Sequence, residues 1–415
     1  MLNKQVKGRL LLVIPPIALM AGGHVELDGD FANNLTAYLR NFDHVTVACP
    51  VLQSHVHSGL RNTIPLAKIE GHERAAFLSL PYTYREDRHL RHYFSTKRLL
   101  RTEIQKADYL LFSPHAMYDW STLAAKLAIS MNRSYDMEGD WNLENILRMR
   151  LSEMPSGLKK IRKSMWLEQY RKVYYECLGH SSVALLQGQD VYDAYKHIAP
   201  NPQKVLNIQI TPDNYIPAGQ LAAKLQRIKE GGPLRIAYAG RAIDMKGPLG
   251  WVQAIHRLIG KGAKVHATWF GDGELMGDMK EMIARLQIGS SVTLAGMVDR
   301  EILMAAQRQS DMFMFCHRTA ESPRCLVEAL ACGCPIIGYG SLYARDLVAL
   351  KGGGAFVDVD DWQGLADLVW SLDQDRTALA KLVHDANESA HLYDRDKAIQ
   401  QRIDLIKKFV KPPTR

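Results

Sequence analysis

Unbroken apolar runs alternate with stretches of helical period along most of the chain. Arg9–Ile14 is one such run, as expected of a strand buried on both faces of a parallel sheet. A loop over Pro15–Asp28 follows, then a helix over Phe31–Asn41 with Phe31, Leu35 and Leu39 at helical spacing, then a strand over His44–Ala48. Further strands are predicted at Tyr109–Phe112, Ser134–Met137 and Val183–Gln187, and long basic helices at Arg85–Lys106 and Leu147–Tyr175. Pro212, Pro217, Gly231, Gly232 and Pro233 break the pattern around a short charged helix.

The alternation then restarts. Strands are predicted at Leu234–Ala239, Val265–Phe270, Val292–Leu294, Met312–Phe315, Pro335–Tyr339 and Gly354–Val357. Helices fall between them at Leu249–Ile259, Met276–Leu286, Arg300–Arg308 and Leu326–Ala331, and the chain closes in a helix over Arg395–Val410. Regular strand–helix alternation gives a doubly wound parallel sheet. The expected fold class is therefore α/β: two doubly wound Rossmann-like domains facing across a cleft, with the C-terminal helix packing back toward the N-terminal domain. The expected boundaries are an N-terminal Rossmann-like acceptor domain over 1–212, a linker over 213–232, a C-terminal Rossmann-like domain over 233–390 and the C-terminal helix over 391–415.

At 415 residues, 47% hydrophobic and 23% charged, the chain can fill two cores. The six cysteines form no CxxC pair and sit mostly in apolar runs. A disulfide framework or zinc site is not expected, and a reducing, cytoplasmic compartment is. Lys4, Lys7 and Arg9 ahead of Leu10–Met20 imitate a signal peptide, but Pro15 and Pro16 interrupt the run; strand then glycine loop is the better reading. No stretch of 18 apolar residues occurs. A net charge of +8 suits an anionic partner. Arg88, Arg91, Lys97, Arg98 and Arg101 on the first basic helix, and Lys159, Lys160, Arg162 and Lys163 beside Trp166 and Tyr170 on the second, fit either a peripheral contact with an acidic membrane surface or a solvated face. No nucleic-acid motif accompanies them, so nucleic acid is not an expected partner.

Three segments carry candidate chemistry. In Tyr238–Gly247 a buried strand delivers Gly240 to a turn from which Arg241 and Lys246 project at the carboxyl edge of the sheet. A diphosphate is their natural counter-charge; two solvated loop cations are the plain alternative. In Thr319–Pro335, Ser322 suits a helix N-cap and Pro323 the first helical position. The amides near Arg324, Cys325 and Leu326 would then form an anion site. Glu321 precedes this helix and Glu328 lies about 9 Å further along the helical rise, so the two carboxylates address separate hydroxyls rather than one metal; the alternative is an Arg324–Glu328 pair. In Trp269–Glu274, Gly271 and Gly273 mark a turn that admits a nucleotide, or a purely structural one; the spacing excludes a nicotinamide fingerprint. In the N-terminal half, Gly22 and Gly23 would let the backbone approach a phosphate or acceptor, and His115 after a buried strand would bond a sugar hydroxyl or be a plain surface histidine. Asp119, Glu138 and Asp140 are weaker acid candidates on the same edge. His89 and His92, at i,i+3 without acidic company, are read as solvated.

The C-terminal half resembles the retaining family-4 glycosyltransferases of the GT-B fold. The G-R-x-x-x-x-K-G loop is matched by Gly240, Arg241, Lys246 and Gly247, the G-D-G turn by Gly271–Gly273, a G-x-V element by Gly296–Val298, and the E-A-[ML]-A-x-G-x-P helix by Glu328–Pro335. The resemblance covers about residues 234–373. It implies a nucleotide diphosphate sugar as donor substrate and transfer with retention onto a glycan or lipid-linked acceptor; Arg241, Lys246 and the helix start would neutralise the leaving diphosphate in place of a metal, so no metal and no cofactor are expected. It further implies Glu328 on the ribose, Glu321 on the donor sugar, Val298 near the base, Gly22 and Gly23 near the phosphates and His115 near the donor sugar. One departure stands out: Ala320 occupies the family's usual first-glutamate position, and Glu321 stands one residue later. A sugar-nucleotide epimerase of the same fold and a catalytically inactive partner subunit remain alternatives.

Overall fold

The computed structural model describes residues 8–53, 62–83, 86–152 and 154–414; Lys4, Lys7 and Arg85 lie outside them. The chain divides into two compact units. One holds the described residues up to Leu206 together with Asp396 onward, and the other runs Asn207–Arg395.

The strands of the first unit are β1 (Arg9–Val13), β2 (Ala18–Ala21), β3 (His24–Leu27), β4 (His44–Gln53), β5 (Ile64–Pro65), β6 (Ala75–Leu80), β7 (Tyr109–Phe112), β8 (Asp136–Gly139), β9 (Val183–Gln187) and β10 (Pro202–Val205). Its helices are α1 (Gly29–Asn41), α2 (Glu86–Lys106), α3 (Trp120–Ser130), α4 (Leu143–Ser152), α5 (Leu158–Gly179) and α6 (Gly188–Tyr195). The parallel core runs β10-β9-β8-β7-β1-β4, with β6 on the other side of β4. Numbered by appearance, the strand order reverses between β1 and β7, so this sheet has its switch point there. Leu11 and Val13 pack into one core layer with α2, α3 and α5, while Leu10 and Leu12 pack into the opposite layer with α1. This is why the run Arg9–Ile14 has no polar alternation.

Several expectations change here. Pro15–Asp28 is not a loop: β2 and β3 form an antiparallel hairpin, and β2 extends β4 through Ala18 beside Val51. Gly22 and Gly23, at φ 54° and 82°, are its two-residue turn, where both central residues need positive φ. The turn chemistry accounts for both glycines without a phosphate. The second basic helix is two helices, α4 and α5, divided around Pro155 and Gly157. His89 is buried, its ring stacked on Trp120 at 4.3 Å, rather than solvated.

The second unit contains α7 (Ala218–Glu230), β11 (Leu234–Ala239), α8 (Pro248–Gly260), β12 (Val265–Phe270), α9 (Met276–Arg285), β13 (Val292–Gly296), α10 (Arg300–Gln309), β14 (Met312–Phe315), α11 (Arg324–Ala331), β15 (Ile336–Tyr339), α12 (Leu342–Val348), β16 (Gly354–Val357), α13 (Trp362–Gln374) and α14 (Arg376–Ala390). Its sheet is parallel throughout, in the order β13-β12-β11-β14-β15-β16, and its switch point lies between β11 and β14. Residues 213–232 are built into this unit rather than joining two bodies. The Ile216 amide donates to Ala331 O at 2.7 Å, and Lys224 and Ile228 of α7 are buried. The last helix, α15 (Arg395–Phe409), buries Ile399, Ile403 and Ile406 in the core of the first unit beside Leu35 and Leu39.

Candidate active site

Switch points are where a doubly wound sheet leaves room for a ligand, because neighbouring loops depart in opposite directions. At the second unit's switch point the loop after β11 meets the loop after β14. Glycine is required where these loops, and the loop after β12, touch. A Cβ on Gly247 would sit 2.2 Å from Cys316 O, one on Gly271 2.1 Å from Gly240 O, and one on Gly273 2.5 Å from Ala242 O. Gly271 and Gly273 thus admit the backbone of the Arg241 loop. The turn's close approach is to protein, and its Asp272 O accepts the Ala242 amide at 3.0 Å.

The packed loop presents Lys246 from a short 3-10 turn over Asp244–Lys246. Its Nζ donates to Glu321 Oε1 at 2.5 Å, with both side chains mostly buried at 11% and 20% exposure. Glu321 lies two residues before Pro323, the N-cap of α11. Lys246 also acts electrostatically on Cys325 in the helix's first turn, although burial dominates there and pushes that thiol up to about 12. Cation, carboxylate and helix start therefore converge. Arg241 is exposed; its carbonyl accepts the Ile243 amide at 3.0 Å, and its side chain makes no hydrogen bond or ion pair among the described residues. The loop is braced from outside by Arg318, which reaches Asp244 at 2.7 Å and Asp360 at 2.9 Å while its amide donates to Met245 O.

The helix start differs from the expected one by a residue. Pro323 takes the N-cap position that Ser322 was expected to hold, and no side chain caps the helix. The Leu326 amide donates to Pro323 O at 3.3 Å and its side chain is fully buried, so Leu326 is a core residue and not an open anion donor. One turn further along, Glu328 faces Arg300 at 3.5 Å, and Arg300 also donates to Gln209 O at 2.8 Å. Val298 is half-buried between β13 and α10, on the same carboxyl edge.

Two residues of this site escaped the sequence reading. His317, directly beyond β14, is buried with Nε2 2.9 Å from Tyr238 Oη. Burial drives its pKa well below the usual imidazole range, and the charge of Lys246 drives it further, so the ring is neutral at physiological pH. The available signal was its place at the end of a fully apolar strand. The second is Lys224 of α7, which is 3% exposed. Its Nζ donates to Cys332 O at 2.9 Å and Gly333 O at 3.1 Å, satisfying carbonyls at the end of α11. A lone lysine in a charged helix gave no hint of this.

In the first unit, His115 follows β7 at that sheet's own switch point. Its Nδ1 lies 3.0 Å from Asp119 Oδ2, and Asp119 caps α3 while accepting the amides of His115 and Ala116. Burial lowers the imidazole pKa, but the Asp119 carboxylate more than offsets it and the net shift is upward. His115 is therefore a fixed, partly exposed ring biased toward the charged form. Glu138 pairs with Arg402 of α15 at 2.6 Å inside the core and is spent on that contact. Gly22 and Gly23 sit at the tip of the β2–β3 hairpin. Among the described residues no cluster of His, Cys, Asp and Glu has the arrangement of a metal site.

Residues 223–391 match the family of glycosyl transferases group 1, so the second unit is a domain of that group. A segment of 92 residues is 30% identical to alpha-monoglucosyldiacylglycerol synthase of Streptococcus pneumoniae, covering 22% of this chain and 21% of that protein. The chain thus spans about a fifth of the length of that curated relative. In fold, the whole chain is similar to HepE of Anabaena in complex with UDP (TM-score 0.67, 14% identity, covering 96% of this chain and 99% of the other). It is likewise similar to sucrose-phosphate synthase of Thermosynechococcus elongatus (0.69, 13%, 96% and 98%). A third is WaaG, a glycosyltransferase involved in lipopolysaccharide biosynthesis (0.65, 12%, 95% and 99%). The two Rossmann-like units are those of the GT-B fold.

Proposed function

We propose that this group 1 glycosyltransferase moves a sugar from a nucleotide diphosphate sugar to a hydroxyl of a glycan or lipid-linked acceptor, with retention of anomeric configuration and without a metal. The carrying observation is the meeting of Lys246, Glu321 and the first turn of α11 at the switch point between β11 and β14. The donor diphosphate lies against Lys246 and the amides of Arg324 and Cys325, with Arg241 reaching in from the exposed side. Glu328 takes the ribose hydroxyls and Glu321 the donor sugar. The UDP bound to HepE supports a uridine nucleotide.

In the reaction the bond from the anomeric carbon to the diphosphate oxygen breaks as the acceptor oxygen bonds to that carbon from the same face. The acceptor proton passes to the departing phosphate oxygen. Lys246 and the helix start stabilise the charge that gathers on the diphosphate. His115, held by Asp119, hydrogen-bonds a sugar hydroxyl from the first unit. The enzyme works in the cytoplasm at the inner face of the membrane, where a lipid-linked acceptor is displayed. No helix among the described residues is long and apolar enough to cross a membrane.

The test is a thermal-shift screen of nucleotide sugars followed by kinetics, since a bound donor raises the unfolding temperature by mass action. Lys246→Ala is expected to lower kcat/KM by ~100-fold or more, as loss of a charge contact to a developing oxyanion does. Arg241→Ala should cost less, because Arg241 starts from solvent. Wild-type turnover in Lys246→Ala would remove the diphosphate assignment. Product analysis separates transfer from epimerisation.

A further inference from the structure

Helices α2, α3 and α5 cover one face of the first unit's sheet, sharing a core through Leu100 and Ile104 of α2, Leu123 and Leu127 of α3, and Tyr170 and Cys177 of α5. Each leads into a parallel strand, so each starts at the carboxyl edge of the sheet, where ligands of such sheets enter. Helix α3 has 11 residues, whereas α5 has 22. The buried positions of α5 begin only at Leu167, so its first two turns overhang the core. That overhang exposes Leu158 at 85%, Ile161 at 57% and Met165 at 63%. At i, i+3 and i+7 these residues form one apolar stripe. Lys159, Lys160, Arg162 and Lys163 surround the stripe, and no acid occurs from Leu158 to Leu167. On α2, also near its start, Leu90 and Phe94 are 62% and 82% exposed, and Lys97 and Arg101 continue the same helical face.

Large apolar side chains left in water beside cations of a single sign fit an anionic bilayer. The apolar groups enter the acyl boundary while the long basic side chains reach back to lipid phosphates. A protein partner of matching charge would call for no such apolar prow at the end of a helix that already has its own core. We propose that the first two turns of α5, with the outer face of α2, are an insertion surface for an anionic lipid bilayer. The proposal rests on the reading of the acceptor as lipid-linked and narrows it: the carboxyl edge that carries His115 is held against the bilayer by these two helices.

The experiment is flotation of the full chain with vesicles of phosphatidylcholine alone and of phosphatidylcholine with phosphatidylglycerol, run with sedimentation equilibrium. Wild type is expected on the phosphatidylglycerol vesicles and about tenfold less on neutral ones, since the basic ring adds electrostatic attraction. Leu158→Ser/Ile161→Ser/Met165→Ser should reduce flotation about tenfold or more, because the stripe supplies the buried area. The stripe lies outside the core, so the triple variant should keep its folding transition. Its thermal shift with UDP reports the donor site separately: loss of that shift in wild type would sink the donor reading and leave the lipid result standing. Absence of wild-type flotation, or equal flotation of the triple variant, overturns the insertion surface. So does a wild-type dimer that the triple variant dissolves without any lipid binding, which would make the stripe a self-association face.

Discussion

At the scale of single residues, the proposed donor site is pre-paired. Lys246 and Glu321 satisfy each other at 2.5 Å in a mostly buried setting, so a diphosphate entering the site competes with a carboxylate for the same cation. On the proposed reading the competition has a use: Glu321 would discourage a bare nucleotide diphosphate, whereas a donor that also offers Glu321 a sugar hydroxyl would give it a replacement partner. Glu321→Gln should therefore tighten binding of the nucleotide diphosphate by about tenfold, the size expected for releasing a partly buried charge pair, and lower the rate of sugar transfer. Calorimetric titration with UDP alongside initial rates checks this. Weaker UDP binding in Glu321→Gln would mean that the carboxylate orients Lys246 instead of competing for it. Sequence spacing placed Glu321 beside the helix start, but not against Lys246: 75 residues separate them, and only the adjacency of β11 and β14 brings them together.

At the scale of elements, α11 is held from both ends. Its start faces the Lys246–Glu321 pair, and its end is closed by Lys224, whose Nζ takes the carbonyls of Cys332 and Gly333. A buried cation at a helix C-terminus satisfies orphan carbonyls and suits the negative pole. Lys224→Met keeps most of the volume but leaves those carbonyls unpaired. The second unit should lose ~2 kcal/mol or more, read as a lower urea midpoint for that unit. An unchanged midpoint would mean that water reaches the carbonyls and that Lys224 is dispensable. The elements themselves were largely readable, because buried parallel strands advertise themselves as runs such as Leu234–Ala239 and Met312–Phe315. The hairpin of β2 and β3 was not. Its strands are four residues each and half-buried, so neither a long apolar run nor a clean alternation marks them, and Gly22–Gly23 reads equally as a loop. The break between α4 and α5 was written in Pro155 and Gly157 but masked by continuous basic and aromatic residues on both sides.

At the scale of the whole molecule, the six parallel strands of the second unit's sheet recur in the same order within the first unit's sheet, and His115 and the Lys246–Glu321 pair both follow strands that flank a switch point. That repetition was legible because each half opens on a buried strand. That the chain's last helix packs back on the first unit was expected; what sequence could not show is the contact it makes there. Its apolar positions could serve any core, and only the structure pairs Arg402 with Glu138, 264 residues away. The pair sits inside the first unit's core together with Asp136, whose two carboxyl oxygens are buried without a hydrogen bond. Burial raises the pKa of Glu138 and Arg402 opposes the rise, while the pKa of Asp136 is driven well up by burial and then by Glu138. Arg402→Leu should thus strand a carboxylate in the core and destabilise the first unit by ~3 kcal/mol at pH 7, the usual result of breaking one side of a buried pair. With its folded pKa above the unfolded one, Glu138 is stabilising in its protonated form below about pH 4.3, and that contribution is lost as pH rises through the folded value. The deficit of Arg402→Leu should therefore shrink as pH falls through the raised pKa of Glu138, and Glu138→Gln/Arg402→Leu should recover much of it at pH 7. Calorimetric unfolding of both variants from pH 5 to 8 decides the matter. A deficit independent of pH, and untouched by the second substitution, would show that Arg402 acts through its packed stem and not through its charge.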